Sequence, residues 1–462
     1  MSSSKQDLFE KTPILRAIVA LALPTVFGQV IMVIYNMADT FFVGMTGSDE
    51  MLTAVTVCMP SFMFLSAIAN LFGVGGACAI SRSLGKSDLD RASAASVFAF
   101  WGCAAVTALY SLFAFLFADR FIDLLGGQQA EVHSCARQYL MITVVIGGEF
   151  TALNALLSHL IRAEGRSIHA GVGVVLGGVL NILLDPLFMF VLLEPGRETL
   201  GAGLATALSN AAALGYYAVV LLKGRRSSVL AFAPTKEAFR YGVPADILTT
   251  GLPACLMTLF ENISYAVLDN LMSRYGTVCQ AGLGVAKKIN MLAHCIVRGM
   301  SQGVLPLIAY NFANRNYHRM KKATLCTAGL SVTMAGVCML ASMSFSRALV
   351  GIFIQSASSS LQYGAKFLRI LCIGAPFSAC AYTFISFFQA TGEAGRSFRL
   401  AIMRKGIVDI PLMFALNTFL PRYGLVWATP IADILCCTVS VIMYSGYMSG
   451  FQQSGLAQKV DF

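Results

Sequence analysis

The chain has 462 residues, 57% of them apolar and 12% charged, with 33 Lys and Arg against 23 Asp and Glu for a formal net charge of +10. A soluble domain carries about 25% charged residues. This chain has too few charges to coat a soluble surface of its size, while its apolar content would fill twelve spans of roughly 20 residues, so it reads as a polytopic membrane protein.

Lys5, Lys11 and Arg16 precede the first apolar run, which continues to about residue 38 and ends in Asn-Met-Ala-Asp rather than at a small-residue cleavage site. It is a first span and not a signal peptide. Further apolar stretches complete the set: 14–38, 51–80, 92–117, 136–160, 168–193, 201–222, 246–272, 281–310, 323–345, 364–390, 398–419 and 424–449. The runs are continuous rather than alternating, which fits membrane helices and not barrel strands. The predicted organisation is a six-helix lobe over 1–222, a basic cytoplasmic linker over 223–243, a second six-helix lobe over 244–450 and a tail over 451–462.

Lys and Arg divide unevenly between alternate connections. The N-terminus, the loops near 81–91, 162–166, 223–240, 315–322 and 396–405, and the tail hold 22, against 8 in the other set. Excess positive charge marks the cytoplasmic side, so both termini are expected there. The positive residues are spread over short loops and form no aromatic-interleaved patch, which argues against nucleic acid as a partner. The 13 Cys include no Cys-x-x-Cys pair and lie mostly in apolar runs, so neither a disulfide scaffold nor a zinc site is expected.

The second half partly repeats the first at an offset of about 228 residues. Leu23-Pro24 recurs as Leu252-Pro253, LGKSDLDR (84–91) is answered by FANRNYHR (312–319), and Arg162-Ala163-Glu164-Gly165 by Gln389-Ala390-Thr391-Gly392. Six spans per half is an even number, so both halves enter the membrane from the same side. A parallel repeat about an axis along the membrane normal, with a cleft between the halves, follows.

Charges inside spans carry the chemistry. Asp39, Asp185 and Glu261 are each flanked on both sides by apolar residues, and a carboxylate at a span centre costs about 2.5–3.5 kcal/mol. Burial disfavours the charged form, so such groups can hold a proton near neutral pH and release it when water or a cation arrives. Asn36 lies one turn before Asp39 and Asn181 four residues before Asp185, placing amide and carboxylate on one helix face. Paired oxygens of this kind suit a proton or a hard cation such as sodium. The structural alternative is mutual satisfaction across packed helices, and for Glu261 an ion pair with Lys287, Lys288 or Arg298. Asp246, Asp269, Asp409, Asp433 and Glu149 lie nearer span ends or Pro and are weaker candidates. Gly73, Gly75, Gly76 and the run from Gly171 to Gly178 lack a following Gly-Lys-Ser/Thr, so they read as helix packing rather than a nucleotide loop. The five His form no H-E-x-x-H motif and no G-x-S-x-G is present, so no enzyme activity is expected.

Several motifs in order give the chain its resemblance: LPTVFGQVIMVIYNMADTFFVG (23–44), GVGGACAISRSLGKSD (73–88), LIRAEGRS (160–167), GGVLNILLDPLF (177–188) with GAGLATAL (201–208), GLPACLMTLFE (251–261), QGVLPLIAYNFANRNYHR (302–319) and GLVWATPIAD (424–433). Over nearly its whole length the sequence resembles the multidrug and toxic compound extrusion (MATE) family, within the superfamily that also holds lipid-linked oligosaccharide flippases. The resemblance implies an all-α integral membrane protein with twelve transmembrane helices in two six-helix bundles. It implies a monomeric exporter in the cell membrane that exchanges amphipathic or cationic small molecules for protons or sodium by alternating access, with no cofactor. For the acidic site of the first lobe it implies Asp39, Asn36, Asn181, Asp185 and Thr206, of which Asp39, Asn181, Asp185 and Thr206 would hold any sodium ion. Asn154, Tyr35, Gln29 and Ser378 fall on the implied substrate pathway, and Glu261 matches the glutamate of a second-lobe site. The aspartate that such a site carries in the tenth span is replaced here, at Ser378 in GAPFSACAYTF, so the proton is the favoured coupling ion. A lipid-linked saccharide flippase and a membrane-embedded enzyme or receptor are the rival readings.

Overall fold

The computed structural model describes residues 3–125, 128–225, 228–240, 242–354 and 359–453. Residues 226, 227 and 241 of the expected linker and 454–462 of the expected tail lie outside them. Among the described residues the chain is helical, without a strand. A short α1 (Ser3–Glu10) precedes the long α2 (Ile14–Met45), α3 (Asp49–Gly85) and α4 (Leu89–Leu116). There follow α5 (Ala118–Leu124), α6 (Ala130–Leu140), α7 (Gly148–Ala163), α8 (Ser167–Pro186) and α9 (Glu198–Lys223). The second half holds α10 (Val243–Ser273), α11 (Thr277–Ala313), α12 (Tyr317–Ser344), α13 (Ser346–Gly351), α14 (Ser359–Leu371), α15 (Ala375–Ala390), α16 (Ala394–Ile402), α17 (Asp409–Phe419) and α18 (Tyr423–Gln453).

Ten helical runs are long and apolar enough to cross a membrane, and an eleventh is the bent pair Ala130–Ile146 and Gly148–Ala163. The remaining expected span corresponds to Ala394–Phe419, formed by α16, the π-helical turn Met403–Val408 and α17. It carries Arg404, Lys405 and Asp409 at its centre. All twelve expected stretches are therefore helical, and the fold is that of a multispan all-α membrane protein.

Two departures from the expected elements have physical causes. The fourth span is not continuous: it passes through a π-helical turn at Met141–Ile146 and bends by 48°. Gly147 stands at the bend, where a Cβ would lie 2.8 Å from the Ile142 carbonyl and 2.9 Å from the Ala207 methyl. Arg404 and Lys405, counted above with a loop at 396–405, are each only 1% exposed and sit inside a span. The span 398–419 already contained both, and removing them lowers the basic count of that side from 22 to 20.

The chain divides into two compact units, one built on Phe27–Thr258 and the other on Asp7–Val26 with the residues from Leu259 onward. In the first, α3 packs on α4, α6 and α7, and α8 packs on α9. In the second, α11 packs on α12, α14 and α15, and α18 on α15 and α17. The expected linker is fastened to the first unit. Ser228 Oγ and the Val229 amide donate to Glu164 Oε1 at 2.7 and 2.6 Å, and Trp101 Nε1 donates to the Phe232 carbonyl at 2.9 Å.

The internal repeat is written into the backbone. The bounds of α3 and α11, and those of α4 and α12, are each displaced by about 228 residues. Left-handed φ values recur at Gly47 and Gly276, Ser87 and Arg315, and Gly165 and Gly392, again about 228 apart. The Asp88 side chain accepts from the Arg91 amide at 2.9 Å, and Asn316 accepts from the Arg319 amide at 3.1 Å, so the same cap starts the matching helices. What the capped arginines then hold differs. Arg91 and Arg82 bind the Asp246 carboxylate, whereas Arg319 donates to the backbone carbonyls of Phe9 and Thr12.

Gly178 decides how closely α8 approaches α2. A Cβ there would lie 2.5 Å from Ile31 Cγ2 and 3.1 Å from Tyr35 Cδ1. Gly178→Val should therefore force the two helices apart at a cost of about 1–3 kcal/mol. Thermal unfolding of the purified variant in detergent should show a lowered midpoint, and an unchanged midpoint would contradict the packing described here.

Candidate functional site

In the first unit, Asp39 on α2 is 5% exposed, and Asn181 and Asp185 on α8 and Thr206 on α9 are equally buried. The close contact at Gly178 explains how they meet. Asp185 lies two turns beyond Gly178, and Asp39 two turns beyond Ile31, so helices touching at the glycine bring both carboxylates to one level. The two acids are within electrostatic reach of each other, and Tyr35 and Tyr139 are within reach of both. Asn181 Nδ2 donates to Asp185 Oδ1 at 3.4 Å and to Thr206 Oγ1 at 3.3 Å. Beside this group, Asn154 Nδ2 on α7 donates to Asn210 Oδ1 at 2.8 Å, and Asn210 donates to the Thr206 carbonyl at 2.8 Å.

The group is one of unmet acceptors. Asp39 Oδ1, Asp185 Oδ2, Asn181 Oδ1 and Asn154 Oδ1 are all buried without a hydrogen-bond partner. Among the described residues, no Lys, Arg or His forms an ion pair with either carboxylate. Buried polar groups are almost always paired, so the unmet oxygens of Asp39, Asn181 and Asp185, with Asn154 beside them, suit a proton or a small cation. The arrangement brings together Asp39, Asn181, Asp185 and Thr206, with Tyr35 and Asn154 beside them. Asn36 is half-buried and its amide is taken by the Met32 carbonyl, at 2.6 Å. Gln29 is half-buried on α2, two turns before Asn36.

Glu261 and Ser378 lie in the second unit, in surroundings of opposite character. Glu261 Oε2 accepts from Arg298 at 2.6 Å, which is the structural alternative named for it above. Arg404 Nε donates to Asp433 Oδ1 at 2.9 Å, and its other nitrogens reach Tyr382 Oη at 2.9 Å and Ser378 Oγ at 3.2 Å. Ser378 also contacts His294 Nδ1 at 3.2 Å. Lys405 binds Asp409 at 2.9 Å, while Ser264 and Thr429 donate to the same carboxylate at 2.6 and 3.1 Å. Lys287 holds Asp269. The three buried acids Glu261, Asp409 and Asp433 thus each have their own cation, as does the more exposed Asp269, although Asp433 Oδ2 and Arg298 Nε stay buried without a hydrogen-bond partner. The position expected to lack an acid, Ser378, faces an arginine.

Asn210, Tyr139, Arg404, Asp409 and Asp433 are the residues that the sequence reading passed over. Asp433 and Asp409 had been discounted as close to Pro or a span end. The available signal was the pairing of charge within two neighbouring apolar stretches, with Arg404, Lys405 and Asp409 in one and Asp433 in the next.

Long apolar helices in two units, with an unpaired acidic group enclosed in one of them, define a multispan membrane carrier. A sequence model of the MatE family matches residues 24–187 and 253–415, and the chain belongs to that family, whose members are transporters and not enzymes. The chain is 29% identical over 449 residues to the multidrug export protein MepA of Staphylococcus aureus strain MRSA252, covering 96% of each. It is 28% identical over 448 residues to the MepA of Staphylococcus saprophyticus, again with 96% of each covered. Among solved structures it superposes on the outward-facing conformation of a multidrug resistance MATE family transporter with a TM-score of 0.89, at 24% identity over 98% of this chain and 99% of that one. It also superposes on a MOP superfamily transporter from Pyrococcus furiosus, described by its reversed binding-pocket polarity, with a TM-score of 0.86 at 24% identity over 98% and 99%.

The ion-paired network of the second unit makes a stability prediction. Arg404→Met leaves Asp433 buried and uncompensated and should cost about 3–5 kcal/mol, whereas Arg404→Met with Asp433→Leu should recover much of the loss. Comparing the melting of the single and double variants in detergent decides it; equal destabilisation by both would contradict the pairing.

Proposed function

We propose that the chain is a secondary active multidrug exporter of the cell membrane that antiports organic, often cationic, compounds against a coupling cation by alternating access. The exchange group in this reading is Asp39, Asn181, Asp185 and Thr206. The observation that carries it is the contrast in charge compensation: the embedded acids of the second unit are held by the protein's own cations, and Asp39 and Asp185 are held by none. A carboxylate already bound to a guanidinium has no vacancy for a transported ion, so Glu261 stands outside the exchange group. The names of the MepA relatives support multidrug export as the activity.

The proton is the favoured coupling ion. Two carboxylates within reach of each other resist double ionisation, and a single shared proton relieves both the repulsion and the burial cost. Sodium is the alternative, since the unmet oxygens of Asp39, Asn181 and Asp185 are also hard-cation ligands. Each unit charge crossing 100 mV supplies about 2.3 kcal/mol, equivalent to a concentration ratio of about fifty-fold, so one or two ions suffice for efflux. Both termini are read as cytoplasmic, the basic bias surviving removal of Arg404 and Lys405. A flippase for a phosphate-bearing lipid would call for several uncompensated cations along its path; of Lys287, Lys288 and Arg298, Lys287 and Arg298 are bound to acids, leaving Lys288 without an ion pair among the described residues.

Asp39→Asn should abolish efflux of ethidium from cells expressing the chain while leaving the amount of protein in the membrane unchanged. An uncoupler should abolish wild-type efflux, and varying sodium at fixed pH should not alter it. Normal ethidium export by Asp39→Asn would end the proposal.

A further inference from the structure

One more acid at membrane depth has no cation. Glu149 is the second residue of α7, just beyond the bend of the fourth span and near the middle of the run from Ala130 to Ala163. It is half-buried, its Oε1 is enclosed without a hydrogen-bond partner, and no ion pair holds it among the described residues. It is separate from the exchange group. Asn154 follows five residues later, about 140° around the helix, so Glu149 faces away from the side on which Asn154 meets Asn210.

α7 packs against both α3 and α4, and a Cβ on Gly148, next to Glu149, would meet Ser111 Oγ of α4 at 3.0 Å and Leu65 Cδ2 of α3 at 3.4 Å. Cys103 is fully buried within electrostatic reach of the carboxylate. Thr107, one turn further along α4, is also fully buried. On the outer side the neighbours are apolar and exposed: Ile146 at 59%, Phe150 at 37% and, flanking Cys103 and Thr107, Val106 at 37%. Exposed apolar residues in the middle of spans face the hydrocarbon, so the seam where α4 packs on α7 borders the bilayer. Position in the first turn of α7 favours the anion, but by less than a carboxylate in hydrocarbon costs. The balance has to come from a proton or from a cation that can itself enter the membrane.

We propose that Glu149 anchors a bilayer-facing capture site for lipophilic organic cations, at the seam of α4 and α7 and apart from the ion-exchange group. A delocalised or quaternary cation dissolved in the membrane pairs with the carboxylate, and its apolar groups lie against Ile146, Phe150 and Val106. A proton occupies the carboxyl when no such cation is present. The site rests on the reading of the chain as an exporter of organic cations and adds to it a point of entry from the lipid.

The test uses the full chain in lipid nanodiscs with tetraphenylphosphonium as the probe. Glu149→Gln should weaken its binding by about tenfold or more, and Glu149→Asp should recover most of the affinity. Dicyclohexylcarbodiimide, which reaches protonated carboxyls from the lipid, should label Glu149 in the wild type, and tetraphenylphosphonium should protect it. The same protection should persist in Asp39→Asn. Wild-type affinity in Glu149→Gln, or labelling of Glu149 unaffected by the probe, would overturn the capture site alone. Absence of any binding by the wild type would overturn the exporter reading with it.

Discussion

A carboxylate inside a bilayer needs a positive partner, and the way each unit supplies one governs the rest of this molecule. A pair such as Asp39 and Asp185 costs about 5–7 kcal/mol by insertion scales when left bare, comparable with the entire net stability of many proteins. The second unit meets the requirement with fixed side chains, Arg298 on Glu261, Arg404 on Asp433 and Lys405 on Asp409. Among the described residues the first unit offers no cation to Asp39 or Asp185, although Arg82 and Arg91 hold its Asp246. Under the proposed function the compensation at Asp39 and Asp185 is a mobile positive ion, taken up and released in the exchange.

This difference can be followed to particular positions of the repeat. Counted from the starts of α8 at Ser167 and α16 at Ala394, Gly177 and Gly178 stand where Arg404 and Lys405 stand in the other half. Gly178 lets α8 press against α2 and Gly177 lets it approach Ala213 of α9, so the acids of α2 and α8 come together without bulk at these two positions. Two long cationic side chains at the matching positions fill that space and neutralise the acids around it. The backbone of the repeat, its caps and its left-handed residues survive in both halves. The divergence is concentrated in the side chains that set the charge.

Much of this was legible in the sequence because it follows from hydropathy and spacing. The twelve helical stretches, the acids inside them and the shared face of Asn181 and Asp185 all come from runs and periodicity. The convergence of Asp39 with Asp185 is a tertiary fact that depends on a glycine contact at Gly178, which no local pattern encodes. Arg404 and Lys405 were misplaced for a specific reason: topology counting assigns basic residues near a span end to a loop, and a π-helical turn at Met403–Val408 instead carried them into the interior. Such turns insert a residue into the helix and redirect the side chains that follow, often at functional sites. Hydropathy cannot register them.

Fixed and mobile compensation also differ in what they permit mechanically. An acid held by its own arginine keeps the same charge in every state, so the helices around it gain nothing from rearranging when an ion arrives. An acid that is bare in one state and loaded in another changes the energy of its surroundings by several kcal/mol at each step, which is enough to favour one packing of α2 against α8 over another. The weak bonds of the first unit fit that role. Asn181 spans to Asp185 and Thr206 at 3.4 and 3.3 Å, long for hydrogen bonds and easily exchanged for contacts to an ion. In the second unit the bonds of Arg298, Ser264 and Lys405 run from 2.6 to 2.9 Å. Under the proposed function a carrier needs one part that yields when an ion binds and another that does not, and in that reading the first half yields while the second, with its two cationic side chains, does not.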